Sequence, residues 1–197
     1  MGANPERRDE LADAGLRVLA RAGARGLTHR AVDAEAGVPT GTCSNYFRSR
    51  NQLLHALAER IYHRIGPSQE RLDVLARPEP TMDLLVEYIR YIVERTTGAP
   101  ELTLALFELR LEASRNRELA DILGPTLQEA YRQDVAFSRE RGLPGGALEI
   151  ALLHFAIDGL LLDQLTTGLD PDLDGAAAVE ALVRRLVPDP AADPAAD

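Results

Sequence analysis

Apolar residues recur along this chain at the helical period, and no stretch alternates in the way a half-buried strand does. Leu11, Gly15, Val18, Leu19 and Ala22 mark a first helix over about Glu6 to Ala22, stopped by Gly23. Thr28 is suited to cap a second helix over 29–36, because its hydroxyl can accept an orphan backbone N–H. Gly37 ends that helix, and Pro39 forbids continuation through its own nitrogen. Thr40 is placed to cap a third helix, Gly41 to Phe47. Ser49, three residues before Gln52, reads as a capping box opening a longer helix to about Ile65. Gly66 and Pro67 break it.

Beyond that break the same period predicts helices over about 68–76, 82–97, 101–113, 147–167 and 175–187. A further helix from Asn116 is expected to kink or restart at Gly124–Pro125. The fold class expected is all-α, with a domain boundary at 66/67: an N-terminal domain over 6–66, a C-terminal domain over 67–187 and a disordered tail over 188–197.

Two short helices joined by a glycine-containing turn form a helix-turn-helix, here over about 28–47, whose second helix lies in the DNA major groove. Thr40, Thr42, Ser44, Asn45 and Tyr46 offer donors and acceptors without a carboxylate, as base edges beside phosphates require. Phe47 is the expected anchor, and Arg48 and Arg50 are the expected phosphate clamps.

Charge changes the picture next. The net charge of −9 argues against nucleic acid until it is divided. Residues 1–66 carry 10 Arg and 7 acids, a balance of +3; residues 67–197 carry 12 Arg and 24 acids, a balance of −12. Such asymmetry marks a nucleic-acid module joined to one that repels DNA. The single cysteine, Cys43, excludes an internal disulfide and fits a reducing cytoplasm. No apolar signal segment opens the chain. The most apolar stretch, Leu148 to Leu165, holds Glu149, His154, Asp158 and Asp163 and is no membrane span.

G-L-T-x-R-A-V at 26–32, A-G-V-P-x-G-T at 36–42 and N-Y-F-R-S-R-N-Q-L-L at 45–54 resemble the TetR family of bacterial transcriptional regulators. The resemblance covers roughly residues 6–65. It implies a three-helix DNA-binding domain, a larger helical-bundle ligand-binding and dimerisation domain, and a homodimer on a double-stranded DNA operator. Cys43 and Ser44 stand where the family often carries Leu and Tyr, and Asp33 where it often has a small apolar residue. The expected DNA-facing set is Thr28, His29, Arg30, Thr40, Gly41, Thr42, Cys43, Ser44, Asn45, Tyr46, Arg48 and Arg50.

The helix over 147–167 is apolar on nearly every side, so it needs cover on every side. Leu152, Phe155 and Leu162, with Val179, Leu182, Val183 and Leu186 of the next helix, are expected to form a four-helix interface between two copies. Tyr88, Tyr91, Phe107, Tyr131, His154, Phe155 and Asp158 are the candidates for a pocket taking a small, largely apolar effector.

No P-loop, dinucleotide-binding glycine pattern, H-E-x-x-H or G-x-S-x-G is present, so neither enzyme nor cofactor is expected. His154 and Asp158 alone are too few for a metal site. The reading is a transcriptional regulator, a repressor released by its ligand. The alternatives are a helical small-molecule-binding protein without DNA regulation, an enzyme using a His154–Asp158 site, and an activator.

Overall fold

The computed structural model describes residues 4–188, so the tail expected from Pro188 lies, past that residue, outside the described residues. Among the described residues there are ten helices and no strand. They are α1 (Pro5–Gly26), α2 (His29–Glu35), α3 (Thr42–Tyr46), α4 (Arg50–Ile65), α5 (Gln69–Leu75), α6 (Met82–Thr97), α7 (Pro100–Ala113), α8 (Arg117–Arg141), α9 (Ala147–Leu165) and α10 (Gly175–Leu186).

Local capping sets most of the helix starts. The Thr28 hydroxyl accepts from Ala31 N at 3.1 Å, Ser49 from Gln52 N at 3.1 Å and Thr81 from Leu84 N at 3.2 Å. Gln52 Oε1 reaches back to Arg48 N at 2.8 Å, one residue before the position a capping box uses. α1 continues past the expected stop, with a break at Gly23. α8 runs through Pro125 as one helix rather than restarting there.

The chain forms two compact units. The first joins the N-terminal residues through Gly66 to Ala99–Thr126; the second joins Pro67–Gly98 to the residues from Leu127 onward. Residues 99–126, expected in the C-terminal domain, therefore pack with the N-terminal helices. Leu109 of α7 is fully buried in this unit, and the Glu108 carboxylate accepts from Ala24 N at 3.3 Å. The rest of the core is Leu11, Leu16, Leu19, Leu27, Val32, Phe47, Leu53, Leu54, Leu57 and Ile61. A Cβ at Gly15 would sit 2.7 Å from Leu57 Cδ2, so any side chain there would force the buried Leu57 side chain to shift.

In the second unit α6 packs against α9 and α10. Leu85, Ile89 and Val93 of α6 meet a core that includes Leu153, Ile157, Leu161, Val179 and Val183. Val179 and Val183, expected between two copies, are thus core residues of a single chain. They lie on the inner face of α10, a short amphipathic helix that buries its apolar side against its own unit. α9 buries only part of its apolar surface within its own unit, and the rest is the face expected to need cover from a second copy. Ile150, Leu153, Ile157 and Leu161 are buried, whereas Leu148, Phe155 and Leu162 are 66%, 71% and 49% exposed. Those three are seven residues apart in turn and form one stripe along the helix.

Candidate nucleic-acid interface

α2 and α3 meet through a turn built on glycine. Gly37 (φ 66°) and Gly41 (φ 94°) both adopt the left-handed backbone that side chains disfavour. α3 begins at Thr42 with Gly41 as its N-cap, so Thr40 is not the cap that was expected. A glycine cap has no side chain to satisfy the first N–H groups of the helix.

A carboxylate from α2 does so instead. Asp33, only 2% exposed, accepts from Gly41 N at 2.7 Å and from Cys43 N at 2.6 Å. At the other end of α3, His29 Nε2 lies 2.6 Å from the Phe47 carbonyl oxygen. A carbonyl only accepts, so Nε2 carries the proton in this contact. Asp33 was outside the expected DNA-facing set; its signal was an acid standing where the resembling family often has a small apolar residue.

The outer face of α3 is left free for solvent. Ser44 and Asn45 are exposed, and Thr42 and Tyr46 are half-buried. Thr40 and Thr28 are exposed nearby. The Thr42 hydroxyl donates to Pro39 O at 2.6 Å and that of Ser44 to Gly41 O at 2.9 Å, which leaves their oxygens as acceptors outward.

Cys43 departs from the expected set. It is fully buried, and that burial, reinforced by Asp33, pushes its thiol up to about 12. It cannot touch a base, and it carries no reactive thiolate for a redox switch. α3 is too short to face outward with every residue, and Cys43 is its inward one.

Arg50 departs as well. Its guanidinium pairs with Glu112 of α7 at 3.2 Å and donates to the Ala24 carbonyl, so it joins α1, α4 and α7 rather than waiting for a phosphate. Most arginines before Gly66 are engaged likewise: Arg17 and Arg21 with Glu35, Arg60 with Asp9 and Asp13, Arg64 with Asp13, Arg7 with Glu10 and Arg8 with Glu59. Among the described residues, Arg25, Arg30 and Arg48 enter no ion pair, and all three are exposed. They flank the helix-turn-helix in sequence.

The expected effector residues fall in both units. Phe107 belongs to α7 in the first unit, because α7 packs there, and Phe155 stands on the exposed stripe of α9. In the second unit Tyr88 is buried edge-on to Phe137, with ring centroids 5.2 Å apart. The Tyr91 ring lies between Arg71 and Arg95, at 5.8 and 5.6 Å, and its hydroxyl accepts from Ser68 N. The Tyr131 hydroxyl donates to Ala147 O at 2.7 Å. His154 pairs with Asp134 of α8 at 3.0 Å, and Asp158 is half-buried one turn further along α9. A surface groove of about 390 Å³ between α6 and α10 is lined by Asp83, Glu87, Arg90, Glu180 and Arg184, none of them in the expected set. Among the described residues no three His, Cys, Asp or Glu side chains cluster as a metal site. Nor is any helix long and apolar enough to cross a membrane.

A short helix with an acid-free outer face, held against α2 and flanked by uncommitted arginines, defines the helix-turn-helix class of DNA-binding protein. Comparison with known proteins narrows this. Residues 11–57 match the model described as bacterial regulatory proteins, tetR family, and residues 80–189 match the tetracyclin repressor-like C-terminal domain. The chain belongs to the TetR family of bacterial regulatory proteins. It is 29% identical over 124 residues to the HTH-type transcriptional regulator BetI of Rhizobium meliloti (strain 1021), a match spanning 62% of this chain and 60% of that relative. The multidrug binding protein EbrR, solved with ethidium, is 28% identical with a TM-score of 0.70, over 93% of this chain and 99% of its own. A TetR-family member from Streptomyces coelicolor A3 is 27% identical with a TM-score of 0.69, over 93% of this chain and 99% of its own.

Proposed function

We propose that the protein is a cytoplasmic, homodimeric transcriptional repressor, without enzymatic activity, that binds a palindromic operator and leaves it when a small, largely apolar ligand binds its C-terminal unit. The observation that carries the DNA half is the exposed face of α3, with Ser44, Asn45 and the outward oxygen of Thr42 beside Arg30 and Arg48. The major groove admits a helix and presents distinct donor and acceptor patterns to such side chains. The acidic remainder of the chain is repelled by phosphate, so docking is confined to one end.

The Leu148, Phe155 and Leu162 stripe supports a second copy packed against α9. Two-fold pairing gives two recognition helices and extends a short site to a palindrome with half-sites about one helical turn apart. A small-molecule effector is supported by the likeness to EbrR, which was solved with ethidium and other small molecules. Ligand acts in this reading by favouring dimers whose α3 helices are wrongly spaced for the operator.

Mobility shift of DNA upstream of the gene and its neighbours tests the reading. Retardation is expected, reversed by apolar aromatic compounds. A protein that binds such compounds but retards none of these fragments is the carrier alternative. One that raises rather than lowers transcription from the bound promoter is the activator.

A further inference from the structure

α3 has five residues, too few to hold a helix by its own hydrogen bonds. Its N-cap, Gly41, supplies no side chain, and the hydroxyls of Thr42 and Ser44 donate to carbonyls rather than accepting from the free N–H groups. What grips it comes from α2. His29 and Asp33 are four residues apart, one turn, and so share a face of α2. Asp33 takes two N–H groups at the start of α3, through Gly41 and Cys43. His29 gives its Nε2 proton to the Phe47 carbonyl at the end. The chemistry matches the ends: an acceptor pair where donors are orphaned and a donor where a carbonyl is.

Cys43 belongs to the same arrangement. Its small, fully buried side chain sits in the residue whose backbone N–H the carboxylate holds.

We propose that His29 and Asp33 are positioning residues for DNA recognition, gripping α3 by both ends and setting the angle at which Ser44 and Asn45 reach the bases. This rests on the reading that α3 enters the major groove, but the clamp itself is testable without DNA. Amide hydrogen exchange of the full-length protein is expected to show Gly41 and Cys43 protected. In Asp33→Ala both should exchange faster while the amides of α1 and α4 stay slow. On a promoter fragment that the unmodified protein retards, Asp33→Ala should bind roughly 10- to 100-fold more weakly, from one buried and one half-buried N–H group left unpaired. Asp33→Asn should also weaken binding, since its amide offers one acceptor where two are needed.

One rescue separates positioning from general damage. His29→Gln keeps a donor and should bind nearly as well as the unmodified protein, whereas His29→Ala should not. Unchanged exchange at Gly41 and Cys43 in Asp33→Ala, or undiminished DNA binding by both Asp33→Ala and His29→Ala, overturns the proposal. If the unmodified protein binds no DNA, the functional reading fails instead, and exchange at those two amides alone decides the clamp.

Discussion

Arg48 and Arg50 are two residues apart and have the same chemistry, yet they are bound for different work. Arg50 is tied to Glu112 and the Ala24 carbonyl, while Arg48 is exposed and enters no ion pair. Arg48→Ala should therefore weaken binding to every DNA sequence alike and reduce the salt slope by about 1, as loss of one phosphate contact does. Arg50→Ala should leave that slope unchanged and lower the stability by about 1 kcal/mol, a modest cost because the pair is partly solvated. Titration of operator and non-operator DNA at several salt concentrations, beside thermal melts, separates them. Asn45→Ala is expected to relax preference at one operator position by roughly 1–3 kcal/mol, read by binding to a set of single-base operator variants. Cys43, buried with its thiol near 12, should resist alkylation at pH about 8 and react once denaturant exposes it.

At the scale of elements, α9 divides its apolar residues between two tasks. Ile150, Leu153, Ile157 and Leu161 complete the core, and Leu148, Phe155 and Leu162 face outward. A charge placed on the outward stripe costs little inside the chain but opposes burial against a second copy. Phe155→Asp with Leu162→Asp should yield a folded monomer by light scattering, with unchanged helicity and lost operator binding. A dimer that persists in this variant places the interface elsewhere. α3, by contrast, has almost no core of its own, and its geometry is the geometry of α2.

At the scale of the whole molecule, ion pairs link the N-terminal helices to one another. Burial pulls the Asp13 carboxyl upward, but Arg60 and Arg64 together outweigh it and hold it below the ordinary aspartate value. Hydrogen bonds from Arg17 and Arg21 hold Glu35 below the ordinary glutamate value. The unfolded chain then binds protons at a pH where the folded one does not, so stability is present above the usual carboxylate pKa and is lost on acidification. Denaturation followed by circular dichroism should show stability falling as pH drops below about 4. Asp13→Asn should flatten that decline. Stability that rises on acidification contradicts the ion-pair account.

Helix positions were legible in the sequence because their causes are local. Thr28, Ser49 and Thr81 each cap an N–H three residues away, and apolar spacing needs only a turn or two to declare a buried face. The acid-free segment after Pro39 and the uneven charge are equally local, and with the motif spacing they were enough to place the DNA-facing end. Tertiary structure alone decided that Arg50 meets Glu112, 62 residues on, that α7 joins the first unit, and that Val179 faces inward while Phe155 faces out. It also turned Asp33 from an anomaly into the cap of another helix. Periodicity states that a face is buried, but the choice of partner depends on packing among residues far apart in the chain, and that choice exists only once the helices have met.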